Sequence, residues 1–357
     1  MKENNNLKEF NIFKAPYLRS CDSTRNNTSY IMKSFLIAFV PLFLFYWIKY
    51  SFIPLISNEI SFSTYLYPFV FVLFSALFSF LFEALYFSLV LKEEDCFKKS
   101  YQSFSLIPGI ILSFVLPINT PIWVLMIACF FSSIVSKMIF GGFGYNLFNP
   151  AMLAYLFVMS AFYKEISNGN LIVDGISNVT PLNNIKDLLF NNFNDNLLTK
   201  DYLIESFLGN NSHSIAESSP LLCLLILAYL SFRSLINYKV SIIYLLSCFL
   251  FTFLLPYSLN YDNSINFSLY SILNGGIMFA SVFIVTEPVT SPRNAYAKYI
   301  YVIFIALFTV LLRFFSDYNE GVASAVLFMN LFSQTIDRIT SKIIVSDSFK
   351  KKATKRR

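Results

Sequence analysis

The chain has 357 residues, of which 56% are hydrophobic and 18% aromatic, and only 13% are charged, against about 25% in soluble domains. With a mean hydropathy of +0.58, this composition excludes a solvated soluble enzyme, a disordered chain and a disulfide-stapled one, and leaves an all-α polytopic membrane protein. The formal charge of +6 would suit a nucleic-acid binder, but the placement of the cations points to the lipid bilayer and to no nucleic acid.

The N-terminal segment, residues 1–31, is polar, Asn-rich and basic, without the apolar stretch and small-residue cleavage site of a signal peptide. About ten apolar segments follow, each long enough to span or half-span a bilayer. They run near 32–54, 65–91, 104–118, 121–140 and 147–163, then near 219–236, 240–256, 267–286, 299–315 and 321–337. This divides the chain into a first five-helix repeat (32–163), an extracytoplasmic loop (164–218), a second five-helix repeat (219–337) and a basic tail (338–357). With both termini cytoplasmic, all of the 27 Lys and Arg fall inside except Lys49, Lys164, Lys186, Lys200 and Arg313, which is the positive-inside pattern of an inner-membrane protein.

Two segments are interrupted. The third holds Pro108 and ends at Pro117; the eighth holds Gly275-Gly276 and ends before Pro288. Such breaks are tolerated only where protein or a cavity satisfies the freed backbone groups. The Ser113–Pro121 stretch resembles Phe283–Pro292: the two prolines in each are four apart, and the copies are offset by 171 positions (Pro117 to Pro288, Pro121 to Pro292). Tyr145-Asn146 and Tyr318-Asn319 recur before the fifth and tenth spans at an offset of 173. An odd number of spans per half makes the repeat an inverted one, with the broken third and eighth spans meeting near the midplane.

Ionisable residues are sparse in the spans, and no catalytic residue or metal site can be assigned. There is one His (His213) and no CxxC pair, so the chain offers no ligand set for a cysteine-ligated cluster or a bis-His haem. Three motifs stand out. In the loop, Asp174-x-x-Ser177-x-x-Thr180-Pro181 reads as a helix start, with Thr180 as N-cap and Pro181 at the first helical position. A phosphate esterified to Thr180 would meet free N–H groups and the positive end of the helix dipole. Gly141-Gly142-Phe143-Gly144-Tyr145-Asn146, followed by Asn149-Pro150, is a tight cytoplasmic turn that serves either packing or cofactor contact. Glu287, in Thr286-Glu287-Pro288-Val289-Thr290, is a carboxylate closing an apolar run.

Together these stretches resemble the family that includes the D subunit of the Rnf ion-translocating oxidoreductase and the B subunit of the sodium-pumping NADH–quinone reductase. The Asp174–Thr180 stretch resembles its flavinylation motif Asp-x-x-Ser/Thr-Gly-Ala-Thr, with Asn178 and Val179 as departures. The Gly141–Met152 stretch matches almost continuously. Glu287 stands where Asp is usual, and Val322–Asn330 matches the last span. Ala15-Pro16-Tyr17-Leu18-Arg19-Ser20-Cys21-Asp22-Ser23-Thr24 matches the entry to the first span, with Ala15 and Tyr17 as departures.

The resemblance implies FMN held covalently on Thr180, with Asp174 and Ser177 in the attachment motif and a flavin transferase for maturation. It also implies a second, non-covalent flavin, for which Gly141, Gly142, Gly144 and Asn149 are candidate contacts. The partners implied are the other subunits of a membrane electron-transport complex that moves Na⁺ or H⁺, in which this chain acts as a translocase subunit and is inactive alone. The length favours the D subunit over the B subunit. A flavin-free solute channel or transporter with an inverted repeat is the reading from a different class.

Overall fold

The computed structural model describes residues 28–57, 60–167, 199–209, 214–258, 264–316 and 321–354. Asp174, Ser177, Thr180, Cys21 and His213 lie outside the described residues, as does the N-terminal match from Ala15 to Thr24. Among the described residues every regular element is helical. α1 is Thr28–Trp47, extended by a wide turn, Ile48–Phe52, and by Ile53–Ile56. α2 is Phe62–Leu89, α3 Cys96–Gln102, α4 Leu106–Val115 and α5 Ile122–Met138. α6 is Pro150–Ala161 and α7 Tyr163–Ser167. α8 is Lys200–Leu208, α9 Pro220–Phe232, α10 Tyr238–Ser258 and α11 Ser264–Leu273. α12 is Ile277–Ile284, α13 Ala295–Phe315 and α14 Gly321–Thr354.

Helix starts follow local chemistry. The side chains of Ser61, Asn149, Thr199, Ser219 and Asn294 each accept from a backbone N–H of the first turn that follows. Pro150 and Pro220 occupy first-turn positions, where a missing N–H costs nothing.

α1, α2, α10 and α13 are long and apolar enough to cross a bilayer, and α11 with α12 forms a fifth such unit bent by 68°. α4, α5, α6 and α9 are shorter apolar helices. The interior is largely apolar with buried polar rows, and the outer faces are apolar too, unlike those of a soluble bundle. On α2, Leu66, Phe69, Leu73, Leu77, Leu81 and Leu85 are exposed, while Ser75, Ser79 and Glu83 are buried. On α10, Ile242, Leu246, Leu250 and Leu254 are exposed, while Tyr244, Cys248 and Thr252 are buried. Leucines spaced four apart make one continuous stripe along a helix. A stripe of that kind facing outward is stable only against lipid, and the chain is a polytopic membrane protein.

Small buried residues let the first-half helices approach closely. A Cβ at Gly109 on α4 would lie 2.7 Å from the Ser75 carbonyl oxygen of α2, and the Ser75 hydroxyl donates to the Gly109 carbonyl at 2.6 Å.

The third segment breaks in a different place from the one its proline suggests. Pro108 lies in the first turn of α4, which runs on unbroken. The break is upstream, between α3 and α4, at Phe104 with φ +53°. The eighth segment breaks between α11 and α12 at Gly275, with φ +83°. The two left-handed residues share the 171-position offset of the prolines. In each case a buried cation binds the carbonyl of the residue just before. Lys137 Nζ donates to the Ser103 carbonyl at 2.7 Å, and Arg313 Nη1 donates to the Asn274 carbonyl at 3.3 Å and the Ser271 carbonyl at 2.6 Å.

Lys137 also pairs with Glu83 at 2.5 Å, their side chains 2% and 0% exposed. Charge counting places Lys137 among the cytoplasmic cations and Arg313 among the outer ones, yet both are interior groups. Removing one partner of a buried pair strands the other charge. Lys137→Met should therefore destabilise the chain by about 3–5 kcal/mol, and adding Glu83→Gln should recover much of the loss. Thermal unfolding of the purified chain in detergent, for the single and double variants, checks this.

Candidate functional site

The Gly141 turn closes α5. The Gly142 N–H donates to the Lys137 carbonyl at 3.0 Å and the Gly141 N–H to the Met138 carbonyl at 3.1 Å. This is the paired-bond helix end that a left-handed residue makes possible. Gly141, Gly142 and Gly144 have φ of +113°, +87° and +88°. A Cβ at Gly142 would meet nothing closer than the Met138 sulfur at 3.9 Å, so backbone conformation rather than crowding requires glycine there. The turn delivers the chain to Asn149, whose Oδ1 accepts from the Met152 N–H at 3.1 Å and starts α6.

Asn149 is the hub of a buried polar network. Its Nδ2 donates to Glu287 Oε2 at 2.7 Å, and the Thr290 hydroxyl donates to the same oxygen at 3.0 Å. The Asn149 backbone N–H is 3.0 Å from the Asn330 side-chain oxygen, in the amide orientation that also brings the Asn330 nitrogen to Tyr301 Oη at 2.6 Å. Four places distant in sequence thus converge: the start of α6, the loop after α12, and the interiors of α13 and α14. Beside them is a cleft walled by Phe35, Phe104, Phe143 and Phe283, with Lys137 and Glu287 as its charged lining. The Phe104 and Phe143 rings are 5.3 Å apart, and Lys137 Nζ lies 5.8 Å from the Phe143 ring centre.

Of the residues singled out in the sequence, Asn149 belongs to one constellation with Glu287, while Gly141 and Gly142 line a separate cavity with Tyr86, Lys99 and Met138. Near this site the Asp337 carboxylate accepts from the Arg293 and Asn294 backbone N–H groups at 2.9 and 3.0 Å and fixes the start of α13. Sequence reading does not find Tyr301, Asn330 or Glu83. A lone carboxylate inside the second apolar run is the one signal that could have flagged Glu83.

At the other end of α1, the carbonyl of Gly209, just past α8, accepts from Lys49 Nζ at 2.8 Å and Tyr50 Oη at 2.6 Å. Gly209 has φ +93°, and a Cβ there would collide with the Ser218 carbonyl. The returning limb of the long loop is therefore anchored to the bundle at this end.

The profile of the family described as "NQR2, RnfD, RnfE family" matches residues 13–346. The chain belongs to that family. Among family members, it is 28% identical over 255 residues to the D subunit of the Na(+)-translocating ferredoxin:NAD(+) oxidoreductase complex of Acetobacterium woodii, covering 70% of this chain and 75% of that protein. It is 29% identical over 279 residues to the D subunit of the ion-translocating oxidoreductase complex of Ectopseudomonas mendocina, covering 74% and 80%. The B subunit of the Na(+)-translocating NADH-quinone reductase of Pseudoalteromonas atlantica is 28% identical over 237 residues, covering 65% and 58%.

The Glu287 carboxyl lies in the loop past α12. Burial pushes it up to about 7 from 4.5, with the hydrogen bonds from Thr290 and Asn149 opposing the rise. A carboxyl whose native pKa is raised favours the native state below its unfolded value and loses that contribution as pH climbs through its native value. The chain should accordingly lose stability between pH 4.5 and 7, and Glu287→Gln should flatten that part of the profile. Melting temperature against pH for the two proteins measures the difference.

Proposed function

We propose that this chain is the membrane subunit of an Rnf-type electron-transport complex. In this reading it passes electrons between partner subunits through FMN esterified to Thr180, while the complex moves Na⁺ or H⁺. The observation that carries this reading is the Asp174-x-x-Ser177-x-x-Thr180 pattern in a member of this family. The D-subunit relatives give further support: they are covered to 75% and 80% of their length, against 58% for the quinone-reductase B subunit.

The proposed organisation is ten spans in two inverted repeats, with both termini and the Gly141 turn inside and residues 164–218 outside. The 171-position offset shared by Phe104 and Gly275 supports the repeat, and the anchoring of Gly209 supports a loop held against the outer end. The aromatic walls of the cleft, with the Asn149 and Glu287 polar groups at its side, have the chemistry to hold a second, non-covalent flat ring. A bound flavin supplies the one- and two-electron chemistry. The chain's own groups orient it, exclude water, and place a titratable carboxyl, Glu287, beside it.

The test is in-gel ultraviolet fluorescence of the denatured chain co-expressed with a flavin transferase, alongside Thr180→Ala. A fluorescent band in wild type that vanishes in the variant is the expected result. If no band forms while the transferase modifies a second substrate, Asn178 and Val179 have disabled the motif, and the flavin-free channel reading takes its place.

A further inference from the structure

Arg313, on α13, is 1% exposed. Its Nη1 is occupied by the Ser271 and Asn274 carbonyls. Its Nε and Nη2 are completely buried with no hydrogen-bond partner. Among the described residues the two ion pairs are Lys99–Glu93 and Lys137–Glu83, so no described carboxylate neutralises it. Around it, the hydroxyls of Tyr244, Ser271 and Thr309 are also buried, and none makes a hydrogen bond of good geometry, although Tyr244 lies close to Thr309 and to the Cys248 thiol. Thr309 is one turn before Arg313 on α13, Tyr244 faces both from α10, and Ser271 is the residue whose carbonyl Arg313 binds. The neighbouring hydroxyls can donate, and the guanidinium N–H groups can do nothing else.

The first half makes clear what is missing. There the buried polar row on α2 is Ser75, Ser79 and Glu83, four residues apart, and the cation that binds the break carbonyl, Lys137, is neutralised by Glu83. The second half has Tyr244, Cys248 and Thr252 on α10, also four apart and buried. The place taken by Glu83 falls to Thr252, whose hydroxyl is already donated to the Cys248 and Phe249 carbonyls of its own helix. Among the described residues the second half therefore keeps the cation and lacks its counter-charge. A buried, unpaired charge in a low-dielectric interior is strongly disfavoured. Water would accept the N–H groups but leave the charge uncompensated.

We propose that Arg313, Tyr244, Thr309 and Ser271 form a binding site for one small monovalent anion of the halide type, which replaces in the second half the carboxylate that Glu83 supplies in the first. The site is independent of the flavin reading and would exist in a chain carrying no flavin.

The test uses the purified full-length chain in detergent. Sodium chloride is titrated against sodium gluconate at constant total sodium, with melting temperature and retention of radioactive chloride in equilibrium dialysis as readouts. The expected result is one exchangeable chloride per chain, displaced by bromide, and a melting temperature that rises with chloride and then saturates. Arg313→Gln should abolish both responses. The double variant Tyr244→Phe, Thr309→Val keeps the guanidinium. It should retain chloride about tenfold more weakly, as the loss of two hydrogen bonds implies, and it decides the matter should Arg313→Gln fail to fold. A wild-type chain that retains no chloride and melts at the same temperature in both salts overturns the proposal, leaving water as the occupant. So does a double variant with undiminished chloride affinity.

Discussion

A backbone carbonyl released by a broken helix inside a bilayer has no water to turn to. The rest of this molecule is organised around that constraint. It breaks two helices, after Gln102 and after Leu273, with a left-handed residue at each break, and to each it brings a long cationic side chain from a later helix. Lys137 and Arg313 belong to α5 and α13, the helices that follow each broken unit. The cation fixes how far the two helices can separate, so a local defect in hydrogen bonding becomes a tertiary restraint.

The same constraint explains how the bundle tolerates buried polar rows. The hydroxyls of Ser34, Ser231, Thr252 and Ser268 donate back to carbonyls within their own helices, and so are satisfied without solvent. Small residues then allow the close crossing of α2 and α4 at Gly109, and leucines are left for the lipid. In such an interior the few ionised groups stand out: the Glu83–Lys137 pair, Arg313, and the carboxyl of Glu287 just past α12.

The fold class was legible because lipid imposes a length and an apolarity on any helix that crosses it, and each of the ten apolar stretches does contain helix. The break in the third segment was not. Proline drew attention to Pro108, but proline is harmless in a first turn, and a left-handed Phe104 leaves no mark in composition. The charge count could not separate interfacial cations from buried ones either, because Lys137 and Arg313 lie near the ends of apolar runs, where both kinds occur. At the candidate site, the glycine turn and Asn149 were legible as a turn and a helix start. Their union with Glu287, Tyr301 and Asn330 was not, because nothing in a sequence marks which distant polar groups will be needed to satisfy one another.

The bond between Asn149 and Glu287 links residues 138 positions apart, and this bears on how the protein is made. At about 5–20 residues per second, roughly 7–28 s separate the synthesis of the two partners. For that interval the head of α6 is complete in sequence but holds an amide whose acceptor has not yet left the ribosome. The head of α6 therefore reaches its final hydrogen bonding only once the second half has been made.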